Sequence, residues 1–375
     1  MVKTFPASLL TPKTIPEVQE AVLYAAPGVG DTTRVRPVAG RSKPALHHAG
    51  DGVVVDLAGL TGITEYQPDE CTFTALAGTP VAEIERRLAE HGQALPFEPP
   101  LSARGATIGG TVASGLNGPG RYHHGGVRDF LIGAKFVDGE GRLVRGGGKV
   151  VKNAAGFYLH HLLLGSLGRL GVFVELTFKV FPVPRAQRTL RVTCAGLGDA
   201  LAALDRVRRS TTDPDAVELM PEGQVIVRIA GAADAIDARA EALAAVLGHD
   251  RATVVEPPAI LSPENAAAWW TASRDFTWLT TPLAKVAVTP SRIHALDAAL
   301  ARAGATRRYG AGGEVAWVGW PGAWRDLDAL LVEHGLSGVT LIGPAPADPM
   351  LGVRPDDAFL GRVRQTIDPR GTFRG

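Results

Sequence analysis

Residues 104–129, RGATIGGTVASGLNGPGRYHHGGVRD, constrain this chain more than any other stretch. Glycine falls at 105, 109, 110, 115, 118, 120, 125 and 126, and Ala106, Thr107, Thr111, Ala113 and Ser114 fill much of the rest. Such a segment has few large side chains to bury, so it cannot build a core by itself. Without a Cβ, glycine lets main-chain N–H groups close on a ligand, and successive N–H groups form anion-binding concavities. The occupant this implies is a large cofactor with a phosphate part. A mobile glycine loop is the plain alternative, against which Ile108, Val112, Leu116, Val127 and Phe130 are spaced as buried anchors.

Upstream, Thr14 with Glu17 and Pro16 predicts a capped helix over 11–27. A short strand at 34–38 runs into AGRSKPAL (39–46), a tight turn carrying Arg41 and Lys43 that suits a pyrophosphate. Residues 52–57 read as a buried strand and 64–78 as a strand pair. Thr79 is placed to cap a helix over 81–92 that stops at Gly92. Downstream, 129–147 is a hairpin turning at Asp138–Gly141, followed by a short helix near 157–164 and a strong strand at 172–181. The Pro182–Val183–Pro184 step divides the chain into 1–184 and 185–375.

The second half has a different grammar. Strands and helices alternate as β-α-β-β-α-β twice (188–248 and 283–344), with an insert at 250–282 holding Trp269, Trp270, Arg274 and Trp278. This predicts two ferredoxin-like halves in an α+β domain. The tail 367–375 is too short for a domain.

Several classes of function are excluded. The net charge of +1 leaves no nucleic-acid footprint. No apolar run reaches the ~18 residues of a membrane span, and the first residues lack the apolar stretch of a secretory signal, so a cytoplasmic protein is expected. Two cysteines, Cys71 and Cys194, read as free thiols and are too few for an iron–sulfur cluster. There is no P-loop. Gly165, Gly168 and Gly171 precede a strand rather than follow one, against a Rossmann site, and no Gly-x-Ser-x-Gly turn occurs. The adjacent pairs His47–His48, His123–His124 and His160–His161 diverge along a helix or strand, so no metal is expected. The tryptophans at 269, 270, 317 and 320 read as core or interface.

The order of the Ala39–Pro44 turn, Ile108-Gly-Gly-Thr, Val127-Arg-Asp, Lys152-Asn-Ala-Ala-Gly and Gly165-Ser-x-Gly-x-Leu-Gly resembles the FAD-binding domain of the vanillyl-alcohol-oxidase (PCMH) type, from about Pro12 to Pro184. Within that family the chain is most similar to the FAD-binding E subunits of bacterial glycolate oxidase. The resemblance implies a two-subdomain FAD-binding domain (1–184) followed by a ferredoxin-like-repeat α+β cap domain (185–375). It implies non-covalent FAD, since the cradle reads Gly40-Arg-Ser-Lys-Pro and His47 and His48 lie beyond it.

By the same resemblance, Ala39, Gly40, Arg41, Ser42, Lys43 and Pro44 with Thr107, Ile108, Gly109, Gly110, Thr111, Ala113 and Ser114 would hold the pyrophosphate. Pro99, Gly118, Gly120, Arg121 and Arg128 would line the ring and ribityl chain, and Val172 and Val174 the adenosine side. Lys152 and Arg128 would stabilise reduced-flavin charge, and Arg274 would take a substrate carboxylate. Asn153 would accompany Lys152. The implied reaction is oxidation of glycolate or another small 2-hydroxy acid. The implied partners are a second FAD-containing catalytic subunit and an iron–sulfur subunit, which would place the chain at the inner face of the membrane. His294 and His334 stand alone, so the family's histidine metal motif is missing, and Tyr158 stands where relatives often have Asp. These departures keep open a non-catalytic assembly or electron-transfer subunit; the shared fold keeps open a stand-alone alcohol or sugar oxidoreductase.

Overall fold

The computed structural model describes residues 9–25, 34–47, 52–148, 159–249, 254–354 and 357–373. The first half opens with β1 (Leu9–Leu10), α1 (Ile15–Tyr24), β2 (Val35–Val38) and β3 (Val53–Asp56). The Thr14 hydroxyl caps α1 by accepting the Glu17 N–H at 3.4 Å, while the Glu17 carboxylate accepts the Lys13 N–H at 2.7 Å. β1, β3 and β2 form a small parallel sheet over which Val18 and Val22 of α1 are buried.

β4 (Ile63–Gln67), β5 (Thr72–Leu76), α2 (Val81–Ala89) and β6 (Gln93–Ala94) follow. Thr79 does not cap α2. Its hydroxyl is fully buried and donates to the Leu76 carbonyl at 2.7 Å, so the helix starts from Pro80 without a side-chain cap. Next come α3 (Ile108–Ser114), α4 (Arg121–His124), α5 (Val127–Phe130), β7 (Leu131–Val137), β8 (Leu143–Gly147), α6 (Leu159–Leu162), β9 (Val172–Lys179) and β10 (Phe181–Pro182). An antiparallel sheet in the order β4-β5-β9-β7-β8 carries the glycine stretch on its face. All five anchors read from the sequence, Ile108, Val112, Leu116, Val127 and Phe130, are buried. The i, i+4 spacing of Ile108 and Val112 suits α3, which forms inside what reads as a loop.

The second half comprises β11 (Ala186–Cys194), α7 (Leu197–Arg209), β12 (Ala216–Leu219), β13 (Gln224–Gly231), α8 (Ile236–Leu247), β14 (Val254–Ile260), α9 (Pro263–Asp275), β15 (Leu283–Ala287), α10 (Pro290–Arg302), β16 (Thr306–Gly310), β17 (Val315–Gly319), α11 (Trp324–Glu333), β18 (Ser337–Ile342), β19 (Met350–Gly352) and α12 (Asp357–Ile367). Its strands make one sheet in the order β14-β11-β13-β12-β16-β17-β15-β18-β19. Each β-α-β-β-α-β unit is ferredoxin-like, and the two join edge to edge at Leu219↔Tyr309. The insert read at 250–282 is in part the fourth strand of the first unit, β14, which pairs with β11.

The two halves share a core. Phe276, Leu283, Trp317 and Leu341 are buried in the same cluster as Phe97, Leu101 and Ile108. The chain's last described residues return to the first half. The Val35 N–H donates to the Thr372 carbonyl at 2.8 Å, and Phe373 is buried among Val18, Val35 and Val55. No described helix is long and apolar enough to cross a membrane.

Candidate functional site

Two cavities matter. The first is an open cleft within the first half, with a volume of about 100 Å³. Its walls are the turn Ala39–Lys43, the α3 residues Gly109, Gly110, Ala113 and Ser114 with Thr107, and Leu167, Gly168, Val172 and Phe173. Backbone meets backbone here. A Cβ on Gly40 would stand 1.8 Å from the Gly105 carbonyl oxygen, and one on Gly109 would stand 2.7 Å from that of Ala77. Side chains at either position would push the turn and helix apart. Arg41 holds a left-handed φ of 47° in the turn, a conformation that costs free energy in a non-glycine residue.

The cavity is electropositive. Lys43 is buried, its amine 3.1 Å from the Ser42 hydroxyl, and it forms no ion pair among the described residues. Burial lowers its pKa to about 8. Arg41 pairs with Asp56 at 2.8 Å. His47 is held below the usual histidine range, first by burial and then by Arg41, Lys43 and Arg36. Among the described residues no carboxylate lines the cavity. A neighbouring bay continues it past Arg36, Pro44 and Arg169.

The second cavity, a narrow crevice of about 10 Å³, lies between the halves. Pro100, Asn117, Gly118, Pro119 and Arg121 come from the first half; Glu218, Ser273, Arg274, Phe276, Lys285, Gly310, Ala311, Val315 and Trp317 come from the second. Strand register aligns the second set. Lys285 opposes Trp317, and Trp317 opposes Arg308, so the three stand on one face of the large sheet. Burial, and then the Arg121 charge, lowers the Lys285 pKa to about 8. Neither Arg121 nor Lys285 has an ion-pair partner among the described residues. Arg274 does: it reaches Glu85 at 3.1 Å and Asp275 at 3.3 Å. Glu218 is buried. Ser273 donates to its Oε1, while its Oε2 has no hydrogen-bond partner. Burial raises the Glu218 carboxyl pKa, against the opposing pull of Ser273 and Arg308. The Trp269 indole N–H also lowers that pKa yet falls outside hydrogen-bond geometry and is itself unsatisfied. Arg308 is sandwiched between Trp269 and Trp278, at 4.7 and 4.4 Å from the ring centroids.

The loop entering this cavity is strained and clamped. Glu98 and Leu101 have φ of 46° and 64°. Glu98 accepts the Gly120 N–H at 2.6 Å through Oε2 and pairs with Arg228 of β13 at 2.9 Å through Oε1. Arg228 also pairs with Asp215, which in turn meets His124 at 3.0 Å.

Residues 6–147 match the family model described as FAD binding domain. Over 163 residues the chain is 44% identical to the glycolate oxidase subunit GlcE of Escherichia coli strain K12, covering 44% of this chain and 47% of that protein. It is 30% identical to a D-lactate dehydrogenase of Archaeoglobus fulgidus, covering 47% of this chain and 39% of that one. Among solved structures it superposes on p-cresol methylhydroxylase with a TM-score of 0.72 at 14% identity, over 96% of this chain and 86% of that one. This chain carries a PCMH-type FAD-binding domain. The matches span about half the length of these curated relatives, or less.

The first cavity fits FAD. Main-chain cradling and two cations suit a diphosphate, and the unpaired Lys43 amine gains the counter-charge that the protein withholds. When bound, FAD supplies a two-electron acceptor; the protein's part is to hold and orient it.

The residues expected from the sequence divide as follows. Ala39, Gly40, Arg41, Ser42, Lys43, Thr107, Gly109, Gly110, Ala113, Ser114 and Val172 line the first cavity, and Pro44 lines its bay. Ile108, Thr111 and Val174 are buried, Ile108 and Val174 in hydrophobic clusters, and line neither cavity. Gly118, Arg121 and Arg274 line the second cavity, with Pro99 buried beside Pro100 and Gly120 tied to Glu98. Arg128 is exposed on α5 and lines neither. Lys152, Asn153, Tyr158 and His48 lie outside the described residues. Glu218, Ser273 and Lys285 were missed, since nothing local in the sequence marks an isolated residue on a strand as facing a cavity. Among the described residues no cluster of His, Cys, Asp or Glu could hold a metal, and both cysteines are free.

Proposed function

We propose that the chain is the FAD-binding subunit of a glycolate oxidase-like complex that oxidises a small 2-hydroxy acid to the 2-oxo acid. One observation carries this reading: Arg121 and Lys285, from different halves, face a shared cavity, and among the described residues no carboxylate is paired to either. Two like charges in a partly buried site call for an anion, and a substrate carboxylate supplies one. Arg274, already paired, acts on the cavity wall rather than as the primary anchor. Pro100, Gly118 and Pro119 line the same space. FAD is held without a covalent bond, so denaturation releases it. The E. coli relative is a glycolate oxidase subunit, which supports assembly with other subunits; a second flavoprotein and an iron–sulfur subunit are the partners we propose.

The test is the visible spectrum of the purified protein before and after anaerobic addition of glycolate. A flavin spectrum that bleaches supports the reading. A flavin spectrum that persists, even with co-purified partners present, rejects glycolate as the substrate and favours a non-catalytic assembly or electron-transfer subunit. A colourless chain that cannot be reconstituted rejects FAD.

A further inference from the structure

We infer that residues 368–373 form a clasp across the two walls of the first cavity, so that clasp docking and FAD binding each favour the other. This coupling concerns the flavin site alone and is independent of the substrate. The two walls belong to different sheets. Pro37, Val38 and the turn Ala39–Lys43 continue β2 of the small parallel sheet, whereas Val172 and Phe173 belong to β9 of the five-stranded sheet. The clasp bonds to both. Thr372 is fully buried. Its carbonyl accepts the Val35 N–H of β2 at 2.8 Å, and its hydroxyl donates at 2.7 Å to the carbonyl of Gly139, in the turn between β7 and β8. The Gly139 N–H donates in turn to the Ile367 carbonyl at the end of α12, at 3.3 Å. Phe373 forms a parallel bridge with Val35, on the edge of β2 that β3 leaves open. Its side chain is buried in a cluster drawn from both sheets, with Val35 and Val55 from one and Val137, Val172 and Val174 from the other. Asp368 sets the bend: its carboxylate oxygens accept the N–H groups of Thr372 and Phe373 at 2.7 and 2.8 Å. A ligand that fills the cavity touches both walls, and so does the clasp. Each bridge removes freedom that the other would otherwise have to freeze, and linkage makes the gain mutual.

The experiment titrates FAD into the FAD-free full chain, reads binding by flavin fluorescence, and records thermal melts of the same variants. Thr372→Val keeps the side-chain shape and removes the hydroxyl bond to Gly139, so FAD affinity should fall by about 5-fold. Thr372→Ser, which keeps the hydroxyl, should hold affinity within about 2-fold of wild type. Phe373→Ala should lower affinity by more than about 10-fold. Leu10→Ala separates coupling from general loss of stability. Leu10 is buried in the same cluster as Phe373 but sits on β1, at the far edge of the small sheet from β2, and lines neither cavity. It should lower the Tm as Phe373→Ala does while changing FAD affinity by no more than about 2-fold. Unchanged FAD affinity in Thr372→Val overturns the inference, as does an equal loss in Leu10→Ala and Phe373→Ala, which would reduce the clasp to a contributor to stability. Should Phe373→Ala fail to fold, the contrast between Thr372→Val and Thr372→Ser decides, and equal affinities in that pair overturn the coupling. Wild-type protein that binds no FAD overturns the flavin site itself.

Discussion

The two cavities are built on opposite plans. The first is made of backbone from one half of the chain, with glycines and small side chains brought together by α3 and the turn at 39–43. The second is made of side chains from both halves, set in place by strand register and by a clamp running from His124 through Asp215 and Arg228 to Glu98. A backbone site tolerates change in most side chains but not added bulk at its glycines. A side-chain site is sensitive to single charges and to whatever holds the halves together.

Added bulk in the first cavity should have the largest effect. Gly40→Val places a side chain on the Gly105 carbonyl and should weaken FAD binding by more than about 100-fold; flavin content after purification reads this directly. Near-normal flavin content would show that the turn yields and that backbone packing does not define the site. Lys285→Met should come next, weakening 2-hydroxy-acid binding by about 10- to 100-fold while leaving flavin content unchanged, as measured by substrate titration of the reduced protein. A matching loss of flavin would merge the two cavities into one functional unit.

Lys43→Met should produce a smaller change with opposite signs in binding and stability. FAD binding should weaken by about 10-fold, while the FAD-free protein should become more stable, since a buried cation with no ion-pair partner is removed. The pH dependence follows from the same residue. Unfolded, Lys43 keeps its proton up to about 10.5; folded, only to about 8. Between those values the unfolded chain binds more protons, so stability of the FAD-free protein rises with pH across that window. Bound diphosphate favours the charged amine, so FAD affinity should fall as pH rises past about 8. Lys285 contributes a similar stability rise in the same window, which Lys43→Met leaves in place. Thermal melts from pH 7 to 10.5, with and without FAD, test both statements. Arg128→Ala, on an exposed side chain outside both cavities, should change flavin content and substrate binding by no more than about 2-fold.

The difference in plan also explains what could be read in advance. Residues 39–43 and 107–114 stood out because glycine has few other reasons to cluster between buried anchors. The helix α1, the hairpin β7–β8 and the repeated β-α-β-β-α-β order followed from capping and periodicity. Two local readings were overridden by other bonds. The Thr79 hydroxyl was taken by the Leu76 carbonyl, three residues back, and β14 was recruited from the insert by the distant β11. Arg274 lines the second cavity and also pairs with Glu85, 189 residues away in sequence.

What the sequence determined by itself is therefore a backbone cradle for a phosphate-bearing cofactor and the succession of elements in each half, because these depend on glycine geometry and on short-range periodicity; the flavin followed from the family resemblance. Tertiary structure alone decided the second cavity. Glu218 and Lys285 are unremarkable along the chain, whereas Arg121 sits in the glycine stretch. The three line one cavity only when strand order places β12 and β15 on one sheet and the shared core presses that sheet against the glycine stretch, leaving two cations without ion-pair partners among the described residues.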